Sequence, residues 1–281
     1  MSRPMLSSAD ATLSDQDFDQ LRQIIYSYAG IVIGPEKRSM MRARLQKRVT
    51  ALQLGSMAEY LKLVSGALGA TEREKFISSL TTNVTSFFRE SHHFTLLAQT
   101  ILPELAAEDR KISIWSAGCS SGQEPYSIAM TILDQLPALA SSIRITASDI
   151  DTNILQKAKD AIYKPGELTG LRPEHRARYF QPVRGAAHSG ELQANSSLTS
   201  MVDFRQINLN AHWQVTQPHD VIFFRNVAIY FDANTQRSLW RKFHSALRPG
   251  GWLLLGHSER VPTDQHDLLC PSGITAYRRP N

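Results

Sequence analysis

Two glycines, Gly118 and Gly122, lie just before the acid Glu124 in the stretch ISIWSAGCSSGQEPYSIAM. The apolar run before the glycines predicts a strand, and the run after them predicts a helix with Pro125 near its first turn. Glycines at such a junction let a ligand approach the backbone, and the free N–H groups at the helix start can bind it. The alternative is a tight turn that binds nothing.

The chemistry of this loop differs from that of the familiar phosphate loops. Neither G-x-x-x-x-G-K-[ST] nor G-x-G-x-x-G is present, because Gln123 and Glu124 follow directly after Gly122. A carboxylate at this place repels a pyrophosphate and attracts a cationic ligand. The loop therefore predicts a nucleotide-like ligand that carries no phosphate.

A second acidic position follows the next apolar run, where the sequence ASDID ends a predicted strand. Asp149 lies where a carboxylate accepts the ribose hydroxyls in dinucleotide-binding folds. Asp151 either binds the ribose as well or serves only as the N-cap of the next helix. Ribose recognition beside a loop that disfavours phosphate suggests S-adenosylmethionine, whose ammonium group can pair with Glu124.

The sequence shows no Ser–His–Asp or Cys–His set for nucleophilic catalysis. Its two cysteines, Cys119 and Cys270, provide neither a disulfide framework nor a zinc site, and we expect no metal.

The elements that must position these residues change in type near residue 110. Before residue 80 the sequence reads as helices, and helix-capping patterns occur at Ser14 with Asp17, at Gly30, at Ser56 with Glu59, and at Thr71 with Glu74. From Lys111 onward, short β-rich runs alternate with helical ones, which predicts a parallel sheet with crossover helices. The rhythm breaks at about 164–203, and we interpret this stretch as an inserted small β-subdomain.

The bulk properties are those of a water-soluble protein, and we expect a cytoplasmic location. No apolar run approaches the ~20 residues of a membrane span, so membrane insertion is not expected. The chain of 281 residues carries a net charge of +5, which nucleic acid, a membrane surface or an acidic protein could each match. The segment from Glu36 to Arg48 holds six Lys or Arg and one Glu, so that its net charge of +5 equals that of the whole chain.

Five short motifs occur in order along the chain. They are NVTSFFRE (83–90), GQEPYSIA (122–129), ASDID (147–151), FRNVAIYF (224–231) and GHSE (256–259). Together they resemble the chemotaxis receptor methyltransferases, the CheR family, and the resemblance runs from about residue 14 to residue 278. It implies methyl transfer from S-adenosylmethionine to glutamate side chains of chemoreceptors, with S-adenosylhomocysteine as the product and methyl esters that serve chemotaxis adaptation.

The resemblance also implies an α/β fold, a Rossmann-like class I methyltransferase domain with an inserted small β-subdomain, preceded by an all-α N-terminal domain. We expect a helical domain at 1–80, a linker and first helix at 81–110, and the methyltransferase domain at 111–281. By motif position, the resemblance assigns cofactor contacts to Asn83, Thr85, Arg89, Glu124, Asp149, Asp151, Asn208, Leu209, Asn226 and Val227. Arg89 and Tyr230 are candidates to orient the substrate carboxylate, with an interdomain salt bridge or core packing as the respective alternatives.

Two further expectations concern partners. Lys37, Arg44, Lys47 and Arg48 fall within about a third of the helix circumference, and this predicts a docking face for the acidic signalling helices of chemoreceptors. A solvated face is the alternative. In the insertion, the turn RGAAHSG (184–190) lacks the closely spaced glycine pair through which some family members hold a receptor C-terminal peptide, which argues against such a tether.

Two rival functions fit parts of the sequence. A nucleic-acid methyltransferase suits the positive charge, but adenine-N6 enzymes usually carry [DN]-P-P-[YF] where this chain has RNVAIY without a proline, so no nucleic-acid partner is expected. A non-catalytic regulator that senses S-adenosylmethionine is the other alternative. Turnover with a receptor fragment separates that alternative from an enzyme.

Overall fold

A computed structural model describes residues 13–66, 69–108, 110–183, 190–213 and 217–281. The described residues form two compact units. The first contains the residues up to Thr82 together with Tyr230–Asp232, and the second contains Asn83–Ile229 and Ala233–Asn281. The domain limits expected from the sequence stay a prediction.

The first unit is helical over its described residues. Its α-helices are α1 (Asp15–Ala29), α2 (Arg38–Ala51), α3 (Met57–Ser65) and α4 (Ala70–Leu80), with a 3-10 turn at Pro35–Lys37. As expected, Ser14 caps α1 by accepting from the Asp17 N–H, and Gly30 ends it with a φ of 73°. Each helix buries one stripe of apolar side chains, and in α2 this stripe consists of Met41, Leu45 and Val49.

One capping prediction in this unit is wrong. Thr71 lies inside α4, because the helix begins at Ala70 after Gly69 and has no side-chain cap. Glu72 is buried there, where it accepts from Arg48 and from the Tyr60 hydroxyl. An acid in the first turn of a helix is stabilised by the helix dipole. Here the acid also joins α4 to α2 and α3.

The second unit is built on a sheet that contains seven of the described strands, namely β1 (Ile112–Ala117), β2 (Ile143–Asp149), β6 (Val202–Gln206), β7 (His219–Phe224), β8 (Leu247–Leu255), β9 (Cys270–Gly273) and β10 (Ala276–Arg278). Their order in the sheet is β6-β2-β1-β7-β8-β10-β9. The first five strands in that order pair in parallel, and β10 pairs antiparallel with β8 and β9. The expected parallel sheet is thus confirmed, although β6 was not foreseen.

Helices connect the parallel strands, as the alternating sequence pattern predicts. The α-helices of this unit are α5 (His92–Leu96), α6 (Leu102–Ala106), α7 (Gln123–Gln135), α8 (Thr152–Asp160), α9 (Pro173–Tyr179), α10 (Ser196–Thr199) and α11 (Ala233–Ala246). The core lies around the largely buried strands β1, β7 and β8, whose Ile114, Phe223 and Leu254 are 0% exposed. The carboxyl ends of the parallel strands therefore meet at one edge of the sheet.

A second small sheet lies between β2 and β6 in the sequence. Within the described residues its strands β3 (Ile162–Tyr163), β4 (Phe180–Pro182) and β5 (Leu192–Ala194) pair antiparallel in the order β3-β5-β4. The turn on which the peptide-tether expectation rests lies, apart from Gly190, outside the described residues. Among the described helices, none has the length and hydropathy required to cross a bilayer.

Candidate active site

The loop after β1 is tied to the end of β2 by backbone hydrogen bonds. The N–H groups of Gly118 and Cys119 donate to the Ser148 carbonyl at 2.7 and 2.8 Å. The next N–H, of Ser120, donates to a carboxylate oxygen of Asp149 at 2.9 Å. The glycine loop and the predicted ribose carboxylate are thus parts of one hydrogen-bonded structure.

Both glycines of this loop are required by their conformation. Gly118 and Gly122 have φ values of 88° and 93°, which non-glycine residues rarely adopt. A Cβ on Gly118 would overlap the Val227 side chain, and a Cβ on Gly122 would lie 3.0 Å from the Tyr163 hydroxyl. The loop therefore packs closely against the segment that follows β7.

The structure separates the roles of Asp149 and Asp151. Asp151 is 4% exposed, caps α8 by accepting from the N–H groups of Asn153 and Ile154, and accepts from the Asn83 side chain at 3.1 Å. Asp149 is partly exposed at the sheet edge and accepts the N–H groups of Ser120 and Asp151. Burial raises the pKa of the Asp149 carboxyl, and these backbone donors oppose the rise.

A chain of alternating charges runs behind the glycine loop. Glu124 accepts from the Ser116 hydroxyl at 2.7 Å and from Arg225 at 3.1 Å. Arg225 is 5% exposed and also lies 3.4 Å from Glu90, which accepts from His257 at 2.9 Å. Burial raises the pKa of Glu124 while Arg225 opposes the rise. Glu90 is held below its usual range, with a pKa of about 2; burial opposes that decrease, but His257 and Arg225 outweigh it.

The linker residues before α5 fold back onto the same edge. Asn83 bonds to Asp151 as described above, and its carbonyl accepts from the Ser120 hydroxyl at 3.4 Å. Arg89 donates to the Val84 carbonyl at 2.9 Å and forms no ion pair with any residue that the structure describes. Thr85 is half-buried in this linker. An orienting role for Arg89 stays a prediction.

The remaining predicted cofactor residues follow β6 and β7. Asn208 accepts the Asn210 N–H at 3.0 Å, and the carbonyl of the buried Leu209 accepts from Trp213 and Lys242. Asn226 has a φ of 60° and donates from its side chain to Glu90 at 3.2 Å. Val227 packs on Gly118. Motifs that are far apart in the sequence thus form neighbouring loops at the carboxyl edge of the sheet.

Tyr230 belongs to a different unit from these loops. It groups with the helical residues, and its hydroxyl donates to the Thr82 carbonyl at 3.4 Å. Its side chain is half-buried, not packed in a core. An orienting role for Tyr230 stays a prediction.

Two of the four basic residues expected to form a docking face have partners inside the helical unit. Arg48 forms a two-point pair with Glu72, with both N–O distances at 2.9 Å. Arg44 donates to the carbonyls of Leu80 and Thr81 at 3.1 and 2.8 Å, at the end of α4. Lys47 is exposed on α2, and the exposed Lys37 ends the 3-10 turn that precedes this helix. The exposed basic face of α2 is therefore narrower than the helical spacing alone suggests.

Glu90, His92 and His93 form a cluster of side chains of the types that can bind a metal ion. Ligand atoms of Glu90, His92 and His93 lie within 4.8 Å of one another. The Arg225 guanidinium lies 3.4 Å from the same Glu90 carboxylate, and its positive charge disfavours a bound cation. Burial lowers the pKa of His93 to about 3, and the nearby Arg225 charge adds to the decrease.

Three charged residues of this edge were missed as functional candidates, namely Glu90, Arg225 and Glu259. A signal was available for Arg225, because it directly follows the fully buried run from Val221 to Phe224, where a charged residue needs a partner. Glu90 and Glu259 lie inside recognised motifs, NVTSFFRE and GHSE, and only their spatial neighbours reveal their contacts. Outside α5, even the contact of Glu90 that is nearest in the sequence, Arg225, lies far along the chain.

The strand order, the glycine loop and the acids at the carboxyl edge define the Rossmann-like class I methyltransferase fold. Residues 83–277 match the family described as CheR methyltransferase, SAM binding domain, and residues 16–81 match its all-alpha domain. The chain belongs to the CheR methyltransferase family.

Several curated proteins are similar over most of the chain. The Chemotaxis protein methyltransferase of Escherichia coli (strain K12) is 44% identical over 248 residues, which cover 88% of this chain and 85% of that protein. The Probable chemotaxis protein methyltransferase of Rhizobium etli is 40% identical and covers 91% of this chain and 96% of its own length. The Chemotaxis protein methyltransferase 2 of Pseudomonas aeruginosa is 38% identical over 98% of this chain and 96% of its own.

Solved structures resemble the chain more distantly. The glycopeptide N-methyltransferase MtfA complexed with S-adenosylhomocysteine is 15% identical, covers 54% of this chain and 45% of its own, and has a TM-score of 0.32. A likeness at that score carries no weight for the site.

Proposed function

We propose that the protein transfers a methyl group from S-adenosylmethionine to glutamate side chains of chemoreceptors and so forms glutamyl methyl esters. The observation that carries this proposal is membership of the CheR family, with the family's motifs brought to one acidic sheet edge. We further propose that the protein works in the cytoplasm on the signalling helices of those receptors. The chemotaxis methyltransferases to which it is similar support the receptor as substrate.

The donor set at the sheet edge fits S-adenosylmethionine better than it fits a phosphate cofactor. The side chains at the glycine loop are acidic or neutral, and Asp149 retains acceptor capacity at a partly exposed position. We propose that Asp149 rather than Asp151 accepts the ribose hydroxyls, since Asp151 is buried and engaged by α8 and Asn83. When bound, the sulfonium cofactor supplies an electrophilic methyl group.

Glu124 is proposed to hold the ammonium group of the cofactor. Burial raises the pKa of Glu124 and favours the neutral acid, whereas the neighbouring Arg225 favours the charged carboxylate. The ammonium would therefore share this carboxylate with Arg225. Asn83, Thr85, Asn208, Leu209, Asn226 and Val227 complete the proposed cofactor contacts.

Arg89 is proposed to hold a carboxylate, either that of the substrate or that of the cofactor. It forms no ion pair with the described acids, so its guanidinium keeps donors for a two-point contact. The substrate glutamate is already ionised at neutral pH, and no residue of this edge is needed to remove a proton. The chain's task is to orient that carboxylate and to exclude water around it.

The proposed receptor-docking role rests on the exposed members of the basic helix. Lys37 and Lys47 remain available for an acidic helix, whereas Arg44 and Arg48 are engaged within the unit. Attraction between these lysines and receptor glutamates would act mainly on encounter and register. The absence of a receptor-tail tether stays an expectation from the sequence.

A methyl-transfer assay with a matched receptor fragment tests the proposal. The full-length protein is incubated with methyl-labelled cofactor and a receptor signalling fragment, or with the same fragment carrying Glu→Gln at its acceptor positions. We expect label on the first fragment only, released as methanol by mild alkali. Label that survives alkali, or label transferred to nucleic acid, would contradict ester formation, and cofactor binding without turnover would indicate a regulator.

A further inference from the structure

Glu259 is a buried carboxylate that accepts four backbone hydrogen bonds. One oxygen accepts the N–H groups of Gly256 and Asn226 at 2.6 and 2.8 Å. The other accepts those of Val227 and Ala228 at 2.7 and 2.6 Å. With 3% of its surface exposed, this side chain uses its acceptor capacity on the backbone rather than on solvent.

The four N–H groups belong to the ends of two neighbouring strands. Asn226, Val227 and Ala228 follow β7, and Gly256 follows β8. Successive N–H groups that point to one side form a concavity that binds an anion. Asn226 has a φ of 60°, a conformation that costs energy in a non-glycine residue and persists where its surroundings hold it. Glu259 supplies the anion that holds this segment.

The segment held by Glu259 carries contacts on both sides of the cofactor edge. Its first residue donates from the Asn226 side chain to Glu90, and the preceding Arg225 pairs with Glu124. The next residue, Val227, packs on Gly118 so tightly that a Cβ there would overlap it. A shift of the segment would therefore move the partner of Glu124 and one wall of the glycine loop together.

We infer that Glu259 is a positioning residue for the methyltransferase reaction, which fixes residues 226–228 in the conformation that binds the cofactor. It acts through the loop and touches neither substrate nor cofactor itself. The inference rests on the proposed cofactor contacts of Asn226 and Val227.

The variant Glu259→Gln tests this role with little change in size. The new amide group would direct N–H donors at two backbone N–H groups, so at least two of the four bonds are lost. We expect the Kd for S-adenosylhomocysteine, measured by calorimetry well below the melting temperature, to rise roughly 10- to 100-fold. The KM for the cofactor should rise accordingly, with the KM for a receptor fragment unchanged.

Asp220 offers a matched control at the opposite end of β7. It is 1% exposed, accepts the Ser113 N–H at 2.7 Å and pairs with Arg110 and Arg248. The variant Asp220→Asn should lower thermal stability as Glu259→Gln does, yet leave the Kd for S-adenosylhomocysteine within about twofold of the wild-type value. Equal loss of affinity in both variants would reduce Glu259 to a purely structural acid and overturn the inference.

A third variant separates this inference from the proposed cofactor site. If Asn226→Ala weakens S-adenosylhomocysteine binding and Glu259→Gln does not, the positioning role is wrong and the site stands. If neither variant changes the Kd, the proposed contacts of the loop are wrong. If Glu259→Gln does not fold, amide hydrogen exchange of the ligand-free wild type provides the test. Slow exchange at residues 226–228 and 256 supports the role of Glu259 in holding this segment. Exchange as fast as that of an unprotected amide overturns it.

Discussion

The two units each contain a buried pairing of arginine with glutamate, and the two pairings differ in completeness. In the helical unit, Arg48 and Tyr60 both donate to Glu72, and both Glu72 oxygens are used at 2.9 to 3.0 Å. In the sheet unit, Arg225 is shared between Glu124 and Glu90, and this network of charged side chains extends to the exposed His257. Similar residues thus form a closed structural pair in one unit and an open network beside a predicted ligand in the other.

The difference shows how a buried ion pair can be recognised as structural or functional. An acid whose two oxygens are both engaged by partners within one unit leaves no oxygen open to a ligand, and removing its cation leaves a buried charge without compensation. A network that shares one cation between two acids leaves a carboxylate whose pKa burial still raises, as for Glu124. Perturbed acids of this kind at the carboxyl edge of a parallel sheet are candidates for function.

The largest expected effect comes from breaking the closed pair. The variant Arg48→Ala leaves Glu72, with its side chain 8% exposed, without its cation. Removing one partner of a buried pair costs about 3–5 kcal/mol in the free energy of unfolding. Denaturant unfolding measures this loss, and S-adenosylhomocysteine affinity at low temperature should not change.

The exposed Lys47 next to it supplies the control for that variant. Lys47→Ala lies on the same helix and should change the free energy of unfolding by no more than about 0.5 kcal/mol. Equal stability of the two variants would show that the Arg48–Glu72 pair contributes nothing to the helical unit. The contrast with the sheet unit would then disappear.

The second effect concerns the open network. The variant Glu124→Gln removes the charge proposed to hold the cofactor ammonium, and we expect the Kd for S-adenosylhomocysteine to rise roughly 10- to 100-fold at pH 7. Because burial raises the pKa of Glu124, the wild-type affinity should decline as the pH falls, beginning above the usual range of a free glutamate. The variant should lack this decline. A pH series of titrations that gave parallel curves would exclude Glu124 as the titrating group.

The same comparison shows what the sequence could reveal. Ser14, Gly30 and the alternating runs after Lys111 predicted helix ends and a parallel sheet, because caps and periodicity depend on neighbouring residues. The edge strand β6 escaped notice since Val202–Gln206 is only partly buried and lacks an apolar run. The motifs also identified Glu124 and Asp149, and both acids lie at the same edge of the sheet.

Contacts between residues that are far apart in the sequence could not be predicted, and the reason is physical. Helical spacing placed Arg48 on a face with Lys47, but its side chain pairs with Glu72 on another helix. Likewise, nothing local to Glu259 indicates that it accepts N–H groups of residues 226–228. Burial and pairing depend on tertiary packing, which a single helix or loop pattern does not encode.

The third effect is a pH dependence that belongs to the sheet unit. His93 is 0% exposed, and burial lowers its pKa from 6.5 to about 3, so the folded protein keeps this residue neutral. Between those values the unfolded chain binds more protons than the folded one, and stability is therefore lost as the pH falls below 6.5. From pH 7 to pH 5.5 this group alone should lower the free energy of unfolding by about 1.2 kcal/mol.

The variant His93→Gln makes that contribution measurable. Its free energy of unfolding should decline less between pH 7 and pH 5.5 than that of the wild type, although its absolute stability is lower because the contact with Thr275 at 2.9 Å is altered. The raised pKa values of Glu124 and Glu259 act in the opposite direction and are common to both proteins. An unchanged pH slope would mean that His93 titrates normally when folded.

The smallest effect tests whether the exposed lysines of the helical unit act on the receptor. Reversing both charges, Lys37→Glu with Lys47→Glu, should lower the methylation rate of a receptor fragment several-fold at low salt and less at high salt, because screening weakens attraction between exposed charges. S-adenosylhomocysteine affinity and thermal stability should stay at wild-type values, since both side chains are exposed. The methylation rate of the neutral double variant, Lys37→Gln with Lys47→Gln, should lie between that of the wild type and that of the charge-reversed variant. If the reversed and the neutral variants methylate the fragment as fast as the wild type at every salt concentration, the face of α2 does not guide the receptor, and the engaged Arg44 and Arg48 are explained by the fold alone.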